Sequence, residues 1–363
     1  SKLAALTDEI DSMQLTTVKA AEVHVTERYK TSSSIGINIE AEASVTRVQA
    51  AIVAGSEKDP NINYTEYVQK HSVCDAKGSY TLAFDFLKPE SIYTIYVLAY
   101  DENGLPTGLK SLTCSTGAVA DDPFTVTTTH VGTTTLKYNV TAKDASVKYC
   151  TFATGYDYYQ RWQLEEGTNG DVIKHFISMW STFASWYGEN WQTMMKYDRR
   201  EGTYEGDGYH LMWDARQVVI TFGMDDDGNL VTPIQVDSIH TNAPTPVDMD
   251  IPVTVLSNEW GDQQIKAAPT TNTPYFITMQ PAAYVDLYKT DAALLRALCY
   301  EADNINPTDL ARTRDEDLRE GLWEFRVRKD VDTDYYIIAV GLDEGAPATR
   351  AFKTKITVPG GSF

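Results

Sequence analysis

Three segments of the chain carry the same arrangement of apolar positions. Tyr93 to Tyr100 runs into Asp101–Gly104, Gln217 to Met224 into Asp225–Gly228, and Tyr335 to Leu342 into Asp343–Gly345. Each is a β-branched and aromatic run closed by an acidic turn containing glycine, which predicts a buried strand followed by a hairpin. Return strands are predicted at Thr107–Thr116, Val231–Thr241 and Ala348–Val358. Upstream of each run the polar and apolar positions alternate, as on a half-buried strand. First strands are predicted at Val18–Val25, Phe124–His130 and Met249–Leu256. Second strands follow at Ser34–Ala41, Thr134–Thr141 and Asp262–Ala268, and third strands at Val45–Val53, Val147–Thr154 and Pro274–Gln280. Repeated short strands with turn punctuation predict antiparallel β-sandwiches, and the period is the size of a domain.

The middles of the repeats differ. In the second, Val172, Phe176, Met179, Trp180, Phe183 and Tyr187 recur at helical spacing, with Asn169 or Asp171 to open the helix and Gly188 to end it. In the third, Thr290–Asp291 opens a helix through Leu294, Leu295 and Leu298, and a second is predicted over Thr308–Glu320. Leu3, Leu6, Ile10 and Met13 predict a short N-terminal helix or stalk. The expected organisation is therefore a stalk at 1–15 and three sandwiches at 16–117, 122–242 and 247–359. Helical inserts fall at 156–210 in the second and 281–321 in the third. Linkers rich in Pro and small residues separate the repeats at 117–123 and 241–246.

The chain has 363 residues and a net charge of −20. That charge opposes the phosphate lattice, so nucleic acid is excluded as a partner. No apolar run reaches the roughly 18 residues of a membrane-spanning helix. The basic residues Arg312, Arg314, Arg319, Arg326, Arg328 and Lys329 are interleaved with acids, the pattern of a solvated helix face. Cys74, Cys114, Cys150 and Cys299 lack metal-ligand spacing. They read as buried free thiols, with a Cys74–Cys114 bridge as the other option.

The segment Leu87-Lys88-Pro89 ahead of Tyr93 resembles the fibronectin type III signature, in which a corner tyrosine ties its hydroxyl back to preceding backbone. Tyr93 and Tyr335 match that tyrosine. Gln217 stands at the corresponding place in the second repeat, and the tryptophan expected early in such domains is missing from all three. Tandem repeats of this kind with helical excursions resemble surface and cell-adhesion lipoproteins of Bacteroidetes. The resemblance implies an extracytoplasmic protein on the cell surface, held to the outer membrane by a lipid anchor upstream of Ser1.

Chemistry-bearing motifs are sparse. The six histidines show no metal-binding pairing, and no nucleophile elbow or phosphate loop occurs. Asp225–Asn229 lacks the spacing of a calcium loop and reads as a hairpin. His210, between Asp207 and Asp214, reads as a polar histidine beside a strand. Glu165 and Glu166 are two acids among 51 and specify no glycosidase pair. No catalytic residue, metal or cofactor is expected. The anomaly is aromatic: of 7 Trp, five (Trp162, Trp180, Trp186, Trp191 and Trp213) lie in or beside the second insert. Aromatic faces stack on sugar rings and dominate protein interfaces. Phe176 and Trp180 lie on the helical stripe and read as core, whereas Tyr158, Tyr159, Trp162, Trp191 and Tyr204 lie off it and are the candidate ligand contacts. The expectation is a monomeric, non-enzymatic binding or adhesion protein for a glycan or a surface protein. The alternatives are an assembly component and, less favoured, a carbohydrate-active hydrolase.

Overall fold

The computed structural model describes residues 22–301 and 318–360. The predicted stalk at 1–15 lies outside them, as does most of the predicted Thr308–Glu320 helix. The described end of that helix is instead a strand, because Leu318–Arg319 pairs with Tyr275–Phe276.

The strands build three antiparallel β-sandwiches of one design. The first contains β1 (Val23–Lys30), β2 (Ile35–Ala41), β3 (Arg47–Ala54), β4 (Cys74–Ala76), β5 (Tyr80–Phe84), β6 (Ile92–Tyr100) and β7 (Pro106–Ser115). One sheet runs β1-β2-β5 and the other β4-β3-β6-β7. The second contains β8 (Phe124–Val131), β9 (Leu136–Ala142), β10 (Tyr149–Gly155), β11 (Thr203–Gly208), β12 (Arg216–Gly223) and β13 (Gln235–His240), in sheets β11-β9-β8 and β10-β12-β13. The third contains β14 (Val253–Glu259), β15 (Asp262–Ala267), β16 (Tyr275–Pro281), β17 (Leu318–Arg319), β18 (Trp323–Val327), β19 (Thr333–Asp343), β20 (Ala346–Pro347) and β21 (Phe352–Val358). Its sheets are β14-β15-β18 and β17-β16-β19-β20, with β21 also on β19. The sandwich repeats even in its irregularities. The first strand of each carries one break in register, between Glu27 and Tyr29, Thr128 and His130, and Val255 and Ser257. A bulge at a fixed place turns the strand at a fixed place.

The repeated apolar runs are β6, β12 and β19, and their lack of alternation has a cause. In β6, Tyr93, Ile95, Val97 and Ala99 enter the core between the sheets, while Tyr96, Leu98 and Tyr100 lie under helix α1 (Tyr64–His71) with Val68. In β19, Tyr335, Ile337 and Ala339 face the sandwich core, and Ile338, Val340 and Leu342 face the third insert. A strand buried on both faces reads as a continuous apolar run. The helical excursions are thus the cover of the outer sheet face.

The corner bond is present in all three sandwiches by two chemistries. The Tyr93 hydroxyl accepts from the Lys88 amide at 3.0 Å, and the Tyr335 hydroxyl from the Asp330 amide at 3.2 Å. In the second sandwich Gln217 Nε2 donates to the Met212 carbonyl at 2.9 Å. Both side chains reach back five residues, but the donor and acceptor are exchanged, so an amide replaces a phenol.

The two cysteines of the first sandwich are free. Cys74 on β4 and Cys114 on β7 sit on opposite edges of a four-stranded sheet. Three strand spacings of about 4.8 Å separate them by roughly 14 Å across the sheet alone, and the register offsets them further along the strands, beyond the reach of a disulfide. Burial pushes the Cys74 and Cys114 thiols up to about 11 and Cys150 up to about 12.

By compactness the chain falls into two units. One holds the first sandwich with Arg161–Met195, and the other holds Pro123–Gln160 with the chain from Lys196 onward. The sequence boundaries place residues 161–195 in the second domain; they pack instead as part of the first unit. The reason is an edge. Strand β5 ends a sheet and presents unpaired backbone, which is a pairing hazard unless covered. The Thr81 amide donates to the Asn169 carbonyl at 2.8 Å, and Arg28 pairs with Asp171 at 3.0 Å. Gly170 has φ +82°, and a Cβ there would run into the Thr81 carbonyl oxygen and the Tyr80 ring.

Candidate functional site

The second insert is built around helix α3 (Val172–Tyr187), between α2 (Tyr156–Leu164) and α4 (Trp191–Asp198). Asp171 caps α3 by accepting from the Ile173 amide at 3.0 Å. Gly188, with φ 67°, closes it by donating its amide to the Ala184 carbonyl. The buried side chains are Val172, Ile173, Phe176, Trp180 and Ala184, a single stripe. At its C-terminal end that stripe has dwindled to one methyl group. Phe183 and Tyr187 keep the direction of that stripe and Trp186 lies beside it, yet Phe183, Trp186 and Tyr187 are 40%, 68% and 73% exposed. Phe183 and Trp186 meet edge to face at 5.2 Å, with planes at 82°. The rings therefore form a ridge, not a flat shelf, at the free end of a helix whose other end is fixed to β5 and to Arg28.

The residues selected from the sequence are placed differently. Tyr159 is 1% exposed, which corrects its nomination as a ligand contact: it is a core residue of α2. The other four are half-buried. Trp162 stacks on His175 at 4.4 Å with planes 10° apart, and meets the edge of Phe176 at 5.6 Å. His175 Nδ1 lies 2.6 Å from Glu165 Oε2, so Glu165 is taken up in a His–carboxylate pair. Trp191 stacks on buried Trp180 at 6.2 Å. Tyr158 meets Tyr300 edge-on at 5.5 Å. Tyr204 packs on the core of the second sandwich, with the Arg200 guanidinium 4.7 Å above its ring. Trp162 and Trp191 belong to the first unit, and Tyr158, Tyr159 and Tyr204 to the second. Phe176 and Trp180 are core, in line with the helical stripe.

Sequence reasoning missed the ridge. Phe183 and Tyr187 fall at helical spacings from Phe176 and Trp180 and so were assigned to the apolar stripe, while Trp186 drew no assignment. Position on the helical wheel does not separate them, since Tyr187 falls between Phe176 and Trp180; the exposure begins where the cover over α3 ends, near Ala184.

Acid–base chemistry finds little purchase. His240 Nε2 pairs with Asp214 at 3.1 Å, with both side chains exposed. The Asp225 carboxylate accepts from the amides of Asp227 and Asn229 and from Asn229 Nδ2, so it holds its own turn. Those contacts to the turn keep its pKa below the usual carboxylate range. Among the described residues no group of three or more His, Cys, Asp and Glu is arranged to hold a metal ion. No described helix is long and apolar enough to cross a membrane.

No known protein family and no curated protein matches the chain. Solved structures similar to it at low level include two tandem-domain arrays. One is the FN1–FN3 domains of chicken CNTN1, at 10% identity over 93% of this chain and 98% of that one, with a TM-score of 0.21. The other is the central fibronectin-III array of RIM-binding protein, at 7% identity over 93% and 97%, with a TM-score of 0.20. The sandwiches are defined by the sheet order and register given above, independently of these likenesses.

Proposed function

We propose that this chain is a non-enzymatic, extracytoplasmic binding protein of the adhesion type. It holds a protein partner through the ridge of Phe183, Trp186 and Tyr187. The observation that carries this reading is the exposure of three large aromatics on one and a half turns of a helix whose own packing does not need them. Trp and Tyr supply large, stiff contact area and are enriched where few residues carry most of the binding energy. A contiguous exposed apolar patch on a soluble surface marks an interaction site. Edge-to-face rings on a convex helix end suit a pocket in a partner protein; a sugar ring needs a flat face. Surface display through a lipid anchor rests on the resemblance of the tandem repeats with helical excursions, the third repeat above all, to surface lipoproteins.

The test is a photo-crosslinking amino acid at position 186, compared with one at exposed Lys110 in the first sandwich, in cells that display the protein. A discrete adduct is expected from position 186 alone, and it should be lost on adding Phe183→Ser. Equal adducts from both positions, or none from 186, overturn the reading.

A further inference from the structure

In the second unit a cleft of about 530 Å³ lies between the second and third sandwiches. Its size is that of a small-ligand site. One wall is Met212 and Trp213, from the loop joining β11 to β12. The facing wall is Ala292, Leu295 and Arg296 of a helix we number α6 (Asp291–Arg296), after α5 (Ala282–Val285). Thr349 and Arg350 form the rim.

The Trp213 loop is held in a costly shape. His210 and Asp214, on either side of Trp213, have φ of +54° and +46°. Non-glycine residues occupy that region only where the surroundings over-determine it, and such strain collects at ligand clamps. Here the surroundings do so. The Leu211 amide donates to the Thr134 carbonyl, the Asp214 amide to the Asn242 carbonyl, and Gln217 and Thr241 both donate to the Met212 carbonyl. The other wall is fixed by a polar clamp. Arg296 Nη2 and the Tyr300 hydroxyl donate to the two oxygens of Asp157, at 2.9 and 2.8 Å. Arg296 Nε also donates to Glu301 at 3.1 Å, across a π-helical turn at Ala297–Glu301 that brings the fifth residue round to face the first.

The charges in the cleft run against the rest of the chain. A protein of net charge −20 places two guanidiniums, Arg296 and Arg350, beside an indole. Arg296 spends Nε and Nη2 on its clamp, which leaves Nη1 with donors to offer. Arg350 has a loose pair with Asp250, at 3.8 Å with both side chains largely exposed, and its guanidinium lies over the Phe352 ring at 4.5 Å, which leaves its N–H donors at the ring's edge available. The acid in the lining, Asp291, holds Lys353 at 2.6 Å and keeps acceptor capacity on its carboxylate.

We infer that this cleft binds an acidic sugar. The carboxylate lies on Arg296 and Arg350, an apolar ring face lies on Trp213, and hydroxyls donate to Asp291. Asp291 is the discriminating residue: a simple anion is repelled by it, whereas a polyhydroxylated one can donate to it. The site shares no residue with the aromatic ridge and stands or falls independently of it.

Calorimetric titration of the full chain with sodium glucuronate tests the inference, with glucose and sodium benzoate as the other probes. Glucuronate should bind at least ten-fold tighter than either, and Arg350→Gln should weaken it five-fold or more. Arg350 is exposed, and unchanged thermal unfolding of the variant shows that the fold is intact. Trp213→Leu should weaken glucuronate similarly. Undetectable glucuronate binding, equal affinity for glucose or benzoate, or an unaffected Arg350→Gln variant overturns the inference.

Discussion

Tyr80 and Tyr204 occupy the same place in two sandwiches and have opposite surroundings. Each lies two residues along from the partner of the residue before the first-strand bulge: Tyr80 pairs with Ile39, Tyr204 with Val140, and in the third sandwich Trp323 pairs with Ala267. All three are aromatic and stand first or second in the edge strand. Over Tyr80 lies Gly170, with the Tyr80 hydroxyl donating to the Gln163 carbonyl at 3.5 Å. Over Tyr204 and Trp323 lie arginines, Arg200 and Arg319, at 4.7 and 4.4 Å. An edge aromatic thus needs a cover, and either a docked segment or a guanidinium serves. The difference lies in what the rest of the chain brings to it, not in the strand itself.

The largest way to break this comparison is Gly170→Val. Its Cβ would collide with Thr81 backbone at a left-handed φ, so a loss of roughly 3 kcal/mol or more is expected. Hydrogen exchange should show faster opening of 161–195 while β6 remains protected. The same pattern in β6 would mean that the insert and the sandwich are one cooperative block. Next comes the corner. Gln217→Leu leaves the buried end of β12 without its amide donor and should cost about 1–3 kcal/mol, against about 1 kcal/mol for Tyr335→Phe, in urea unfolding. Equal costs would show that amide and phenol corners are interchangeable.

Arg200→Ala uncovers Tyr204 and should cost about 0.5–1 kcal/mol, with no counterpart at Tyr80. A larger loss would mean that the guanidinium carries more than ring cover. The smallest effect is on pH dependence. The native state holds the Cys150 proton, with its pKa pushed up to about 12, where the unfolded chain releases it near 9. The native state therefore binds more protons in that window, and stability falls as pH rises from about 9 towards 12. Urea midpoints at pH 8 and pH 10.5 should differ less in a Cys150→Ala variant than in the parent protein.

Much of the fold was legible in the sequence because strand patterning is local. The runs at Tyr93, Gln217 and Tyr335 and their turns show the repeat directly, and the helical spacing from Val172 to Trp180 identifies α3. The site was less legible. Tyr159 and Tyr187 are chemically alike and belong to one insert of the sequence, yet one is core and the other solvent-exposed. Periodicity gives the direction of a stripe, not how far along a helix another surface covers it. Ala184 marks where that cover ends, and nothing local distinguishes it from a helix-forming alanine. The Gln217 corner was hidden for a related reason: a motif search looks for a tyrosine, while the backbone needs only a polar group that reaches five residues back.

By itself the sequence determined the three-fold repeat, the sandwich class and the buried strand that precedes each acidic turn. These follow from side-chain alternation and turn chemistry within a few residues of one another. Tertiary structure alone decided that residues 161–195 belong with the first sandwich, that Cys74 and Cys114 lie on opposite edges, and that Trp186 rather than Tyr159 faces solvent. Each of these depends on pairing between segments far apart in the chain, such as Thr81 with Asn169. Such pairings are set by shape and by which edges remain uncovered, and a one-dimensional pattern does not encode them.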